Sequence, residues 1–266
     1  MTNETKTTAP VRAGVTAHLP ADDWALLNIA LEARFKVGAD GRIKSENYPD
    51  LSPAPLMFMA GYEAGNLVRL SPDVDEATAA KIEALAASEP PLQALDSAPL
   101  HLPRYLDLLC RTAAVRPSAG LTFHLPHNVR SDREPHLVFS GMPDGRRLQD
   151  SLARDGMPPA LIEMGFRSVE DLWEPWCLAL DDGEVASLAF AARLGHRGAE
   201  LGLATSPLFR GRGLAAAATA GWTSHPALAD HVLFYSTAKT NLASQRVVAK
   251  LGLRLIGATM EITRDA

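Results

Sequence analysis

The residues with the clearest chemical content run Arg210-Gly211-Arg212-Gly213-Leu214-Ala215, just ahead of an alanine-rich stretch ending near Thr223. Glycines at 211 and 213 let the main chain take positive φ and approach a ligand with no Cβ in the way. A helix starting at Leu214 would aim its unbonded N–H groups at the same point, where the helix dipole favours negative charge. Arg210 and Arg212 add formal charge there. The spacing predicts a cradle for a phosphate or diphosphate. Around it, Glu200-Leu201-Gly202-Leu203-Ala204-Thr205 reads as a strand leading in, and Val232-Leu233-Phe234-Tyr235-Ser236 as the strand that follows. A last helix opens at Asn241-Leu242-Ala243-Ser244, residues suited to capping its first turn, and stops at Gly252.

This arrangement resembles the GNAT (Gcn5-related N-acetyltransferase) superfamily. The family's diphosphate motif, Arg/Gln-x-x-Gly-x-Gly/Ala, is matched by Arg210, Gly213 and Ala215. Its next motif is matched by Asn241, Ser244 and Lys250-Leu251-Gly252-Leu253. The resemblance covers roughly residues 135–266, about half the chain, and is similar to bacterial members with an extra N-terminal domain. It implies an α+β GNAT fold, a mixed and mainly antiparallel twisted sheet flanked by helices, preceded by a smaller mixed α/β accessory domain. It also implies acetyl-CoA as co-substrate, no metal, and direct transfer of an acetyl group to an amine of a small molecule or peptide in a ternary complex.

By the same resemblance Leu203, Ala204 and Thr205 lend backbone groups to the pantetheine arm. Arg210, Gly211, Arg212, Gly213, Leu214 and Ala215 hold the diphosphate, and Asn241 and Ser244 line the far side. Glu200 is the candidate base. The family's tyrosine acid would fall at Val248, which leaves Tyr235 or Ser236 as substitutes. A homodimer is a further expectation, since relatives commonly dimerise.

Proton bookkeeping supports that choice of emphasis. A lysine-type amine, pKa about 10.4, is neutral in roughly one molecule in 2,500 at pH 7, so a base is useful. A thiolate leaving group near pKa 8.5 needs far less acid assistance.

Two other readings compete. A binding protein that keeps acyl-CoA without turnover would account for Val248. An NADP-binding oxidoreductase would use Gly211-x-Gly213-x-x-Ala216 as a dinucleotide fingerprint, with Asp230 beyond it or Lys239 for a 2′-phosphate. Against the latter, Asp230 precedes the second strand where the fingerprint's acid should end it, and several residues separate the first strand from the glycines.

At 266 residues the chain holds one large or two modest domains. A net charge of -5 gives no general attraction to nucleic acid or to an anionic membrane, so an anionic cofactor needs a local basic site. Two cysteines, Cys110 and Cys177, make neither a disulfide framework nor a metal spacing; a cytoplasmic setting is the simplest. No apolar run reaches membrane-spanning length.

The chain is expected to divide into a flexible tail at 1–15, an accessory domain at 16–134 and the acetyltransferase-like domain at 135–266. In the first part, Asp22 or Asp23 caps a helix burying Trp24, Leu27, Leu31 and Phe35. A hairpin follows at 56–62 and 66–70, then helices at 73–88 and 103–111, the latter burying Leu106, Leu109 and Cys110, then a strand at 120–125. The second part reads as a strand at 137–140, helices at 147–154 and 158–164, and a hairpin at 176–180 and 185–190 turned by Asp181-Asp182-Gly183-Glu184. The last strand lies at 254–263. His124 and His127 have no third ligand at a recognisable spacing. Arg193 and Arg197 are expected on the surface, Cys177 in the core.

Overall fold

Local signals open most of the elements. In the computed structural model, which describes residues 22–63, 65–92, 98–110 and 114–265, the Asp22 carboxylate accepts from the Ala25 N–H at 2.7 Å and opens α1 (Asp23–Arg34). The expected tail at 1–15 lies outside the described residues. After α1 come β1 (Phe35–Val37) and β2 (Ile43–Glu46), a small two-stranded sheet. The hairpin of β3 (Met57–Tyr62) and β4 (Gly65–Leu70) follows, then α2 (Glu76–Ala86), capped by Asp75, and α3 (Leu102–Leu109). A long strand, β5 (Val115–Leu125), precedes β6 (His136–Phe139). Prolines in the first turn open α3, α4 (Pro143–Asp155) and α5 (Pro159–Glu163), where their missing N–H costs nothing. Asp182 and Gly183, both at positive φ, turn β7 (Trp176–Asp181) into β8 (Glu184–Leu194). The chain closes with β9 (Gly198–Thr205), α6 (Leu214–Thr223), β10 (Val232–Ala238), α7 (Leu242–Leu251) and β11 (Arg254–Arg264).

Among the described residues nine strands form one mixed sheet in the order β4-β3-β11-β5-β10-β9-β8-β7-β6, antiparallel except where β10 meets β9. Helices flank it on both faces, as the α+β expectation requires. One face carries the main core, with Met57, Met59, Leu233, Tyr235 and Met260 of the sheet against Ile82, Tyr105, Trp222 and Val248 of α2, α3, α6 and α7. The opposite face packs Phe58, Val232 and Phe234 against Leu26, Ile29 and Leu31 of α1. Further along that face, Leu152 of α4 and Leu161 of α5 cover Trp176, Leu178 and Leu188.

The boundary expected at 134/135 does not divide the sheet. β5, from before it, lies between β10 and β11, from after it, and β3 pairs with β11 along Met57↔Ile262 to Gly61↔Ala258. β5 is also longer than its apolar run. Its register with β10 stops at Gly120↔Ala238, with one more bond from the Lys239 N–H to the Ala119 carbonyl at 3.0 Å, so residues 115–118 pair with β11 alone. That half-open stretch is mostly exposed and carries Pro117, which a fully paired central strand would not accommodate.

Some burial expectations are corrected. Trp24 is 39% exposed and leans on the Tyr62 ring, 4.6 Å between centroids; Leu27 and Leu31 of its expected stripe are buried, and Leu26, Ile29 and Ala33 on the other side of α1 are buried as well. Phe35 is buried, but from β1. Cys110, the residue after α3, is exposed; Cys177 is buried, which pushes its thiol up to about 12. Arg193 is not a free surface group: its side chain is 16% exposed and pairs with Glu46 at 2.7 Å and Asp50 at 2.6 Å. Among the described residues no helix is long and apolar enough to cross a membrane.

Candidate functional site

The site begins where two strands part. β10 runs parallel to β9 for three rungs, Val232↔Gly198, Leu233↔Ala199 and Phe234↔Glu200. Beyond Glu200 the two diverge, although β9 goes on to Thr205 and β10 to Ala238. On its other edge β9 stays paired to β8 as far as Ser187↔Thr205. Ser187, fully buried, pins that end by donating to the Ala204 carbonyl at 2.8 Å and lying 2.9 Å from Thr205 Oγ1. Residues 201–205 therefore keep strand geometry while the edge toward β10 lacks its ladder partner. Such an edge can take an extended ligand as an added strand.

The gap is a cleft of about 910 Å3. Leu201, Leu203, Ala204 and Thr205 of β9 line one wall, and Tyr235, Ser236, Thr237 and Ala238 of β10 the other. Arg210, Gly211, Gly213, Leu214 and Ala215 close one end, and Asn241, Ser244, Arg246 and Lys250 close it from α7. Glu163 and Met164, from the layer on the opposite face, also reach it.

The glycine turn has the anticipated form. Gly211 and Gly213 sit at φ +78° and +82°, and Gly213 is the N-cap of α6 in the left-handed region. Among the described residues no side chain caps that helix. Its first intrahelical bond runs from the Ala217 N–H to the Gly213 carbonyl, 3.2 Å, so the N–H groups of Leu214, Ala215 and Ala216 are left to the cleft. Leu214 is 1% exposed, and what it offers a ligand is its backbone. The contrast with α7 is direct: there the Asn241 side chain accepts from the Ser244 N–H at 3.0 Å. Asn241 thus spends its carbonyl oxygen on capping while still lining the cleft. The φ of Gly213 reserves the turn for glycine, and a Cβ there would come 2.8 Å from Lys250 Nζ and 3.1 Å from Arg133 Cγ, so those two side chains would have to give way. These features fit a diphosphate.

The charges are distributed differently from the sequence expectation. Arg210 lines the cleft. Arg212 does not; its guanidinium bonds Asp181 at 3.0 Å and lies over the Phe209 ring at 5.1 Å. Neighbours in a turn point in different directions, and Arg212 takes the side where a carboxylate waits. Two basic side chains missed by sequence reasoning, Arg246 and Lys250, face the cleft instead. Their signal was available: 243, 246, 247 and 250 share one face of a helix that begins at a recognised motif.

The proposed acid–base groups separate. Tyr235 is 3% exposed, and its phenol lies 2.9 Å from Ser244 Oγ. Burial pushes this phenol above the ordinary tyrosine value, opposed by the Ser244 contact, so it is protonated at neutral pH. Ser236 Oγ lies 3.4 Å from Thr122 Oγ1 of β5. Glu200 occupies the last rung before the strands part, opposite Arg193 of β8. It lies on the α1 face, in a network that holds Arg34 to Glu261 at 2.6 Å and to Glu46 at 3.5 Å, and it does not line the cleft. Burial, with Glu46 and Glu200 nearby, pushes the Glu261 carboxyl up against the opposing pull of Arg34. Val248, at the family's tyrosine position, is buried in the core.

A sheet opened between parallel strands, with a glycine turn and a helix N-terminus at the end of the gap, has the shape to take an extended ligand that bears a diphosphate. Residues 126–254 match the family model described as Acetyltransferase (GNAT) domain. The chain carries a GNAT acetyltransferase domain over those residues. Among solved structures it is similar to a GNAT-family acetyltransferase from Novosphingobium aromaticivorans DSM 12444, at 22% identity and TM-score 0.40, over 57% of this chain and 66% of that one. It is also similar to an acetyltransferase from the GNAT family of Colwellia psychrerythraea (15% identity, TM-score 0.40, 91% and 96% of the two chains). A GCN5-related N-acetyltransferase from Kribbella flavida aligns over 95% and 96%, at 14% identity and TM-score 0.43. No curated protein matches the chain.

Proposed function

We propose that the protein is an acetyl-CoA-dependent N-acetyltransferase that passes the acetyl group directly to an amine of a small molecule or peptide. The observation that carries this is the parting of β9 and β10 beyond Glu200↔Phe234, directly above the glycine turn. In this reading the diphosphate sits on the N–H groups at the start of α6, and the pantetheine amides add to the open edge of β9. The thioester then lies near the last rung of the β9–β10 ladder. The amine nitrogen attacks the carbonyl carbon there. A C–N bond forms, the C–S bond breaks, and the sulfur leaves as coenzyme A thiolate.

Glu200, beside that rung, takes the amine proton through water from the α1 face. The buried Tyr235 hydroxyl, on the opposite face of the sheet, is the nearest candidate to return a proton to sulfur, a step that a thiolate tolerates losing. Both the acceptor and the cytoplasmic, homodimeric state belong to this proposal.

A second reading, an acyl-CoA binder without turnover, is favoured by Val248 alone. Incubation with acetyl-CoA and a panel of primary amines, following free thiol and acetylated product, separates them. Amine-dependent thiol release supports the transferase. Tight coenzyme A binding with no transfer to any amine supports the silent binder, and a nicotinamide absorbance change in its place would sink both.

A further inference from the structure

Glu200 has a cation beside it that it does not bind. Arg193 stands opposite Glu200 in the β8–β9 ladder, just past a bulge. Directly opposed residues hold their Cβ atoms about 4.5–5.5 Å apart, so the guanidinium is within reach of the carboxylate. It turns instead to the segment that follows β2. Nε lies 2.7 Å from Glu46 and Nη2 lies 2.6 Å from Asp50, while Nη1 donates to the Ala192 carbonyl at 2.7 Å. Among the described residues every carboxylate of this network except Glu200 is ion-paired: Glu46 to Arg34 and Arg193, Glu261 to Arg34, Asp50 to Arg193. The segment is tied down as a strap across the end of β8. The Tyr48 carbonyl accepts from the Leu194 N–H at 2.7 Å, Pro49 bridges to Arg193, and the Asn47 N–H donates to the Arg34 carbonyl at 2.6 Å. Short charge-assisted bonds at a side chain only 16% exposed hold the arginine in that direction.

We propose that Glu46 and Asp50 are positioning residues that hold Arg193 away from Glu200, keeping that carboxylate free to take the amine's proton. A guanidinium within about 4–6 Å favours the charged form of a carboxylate and so weakens it as a base. Arg34 of α1 and Glu261 of β11 also face Glu200, and they are joined to each other at 2.6 Å. Arg193 is therefore the cation whose direction the strap decides. This rests on the assignment of Glu200 as base above, and deepens it by giving a segment ahead of the acetyltransferase domain a part in the reaction.

Two measurements on the full chain test it, neither needing the acceptor. A crystal structure of the double variant Glu46→Gln, Asp50→Asn should show the Arg193 guanidinium within about 4 Å of the Glu200 carboxylate, the span of an ion pair. Carbon-13 NMR with labelled glutamate carboxyls, the Glu200 signal assigned by its absence from Glu200→Gln, reads the consequence. In the double variant the Glu200 titration midpoint should fall by at least about one pH unit. Adding Arg193→Met should recover at least half of that fall, which loss of packing alone would not do. Should the double variant not fold, Asp50→Asn alone breaks the more exposed pair and should move the midpoint the same way by less. The proposal is overturned if Arg193 keeps its direction or turns to solvent, if the midpoint stays in place, or if Arg193→Met recovers nothing. Wild-type turnover by Glu200→Gln across the amine panel would instead overturn the base assignment, whatever Arg193 does.

Discussion

Replacing Gly213 with alanine isolates the role of the glycine turn. At φ +82° a Cβ costs about 1–2 kcal/mol of backbone strain, whatever surrounds it. For a domain of this size that is roughly a 2–8 °C fall in Tm. The steric part is specific to the site, because the new methyl meets Lys250 Nζ and Arg133 Cγ and stands where a diphosphate would approach. Gly252→Ala supplies the matched control. Gly252 sits at φ +63° past the end of α7, with nothing within 4 Å of its absent Cβ, and it does not line the cleft. Thermal melts should show comparable destabilisation of the two variants. Saturating coenzyme A, at about 100 times its Kd, should restore about 2.7 kcal/mol to wild type and to Gly252→Ala. It should restore much less to Gly213→Ala, whose Kd is expected to rise at least about tenfold. Equal ligand-induced shifts in all three proteins would refute the cradle; equal losses in both variants would trace the effect to general loosening.

Other outcomes are expected. Glu200→Gln should lower turnover more than coenzyme A affinity, and most at low pH, where the amine is most protonated; an unchanged pH–rate profile would remove Glu200 from the chemistry. Arg34→Met strips Glu261 and Glu46 of their shared cation, and should cost about 3 kcal/mol, the low end for a broken buried pair because the arginine keeps 22% of its side-chain surface. Denaturant titration showing a loss below about 1 kcal/mol would contradict that. Burial holds His124, His225 and His231 below the ordinary histidine value, so they are neutral in the fold and take up protons when it opens. Their contribution to stability is complete above about pH 6.5 and is lost as pH falls through their folded values. Tm should decline from pH 7 to 5.5, and a rise over that range would rule the account out.

The amino-acid sequence by itself determined the pieces whose geometry is local. Gly211 and Gly213 required positive φ, Asp182-Gly183 required a tight hairpin turn, and Asn241 and Asp22 each sat at the right distance to cap their own helix. Those are interactions within four residues, so spacing encodes them. Only the tertiary structure decided that β9 and β10 part after three rungs, because strand divergence follows from what each strand packs against on its far side. It alone placed β5 between β10 and β11, joining halves that composition separates. It also turned Arg212 toward Asp181 and brought Lys250 over Gly213, partners 31 and 37 positions apart. A charge's sign is written in the chain. Which way it points is settled by the nearest opposite charge or open cleft in space, and that neighbour is known only once the sheet is assembled.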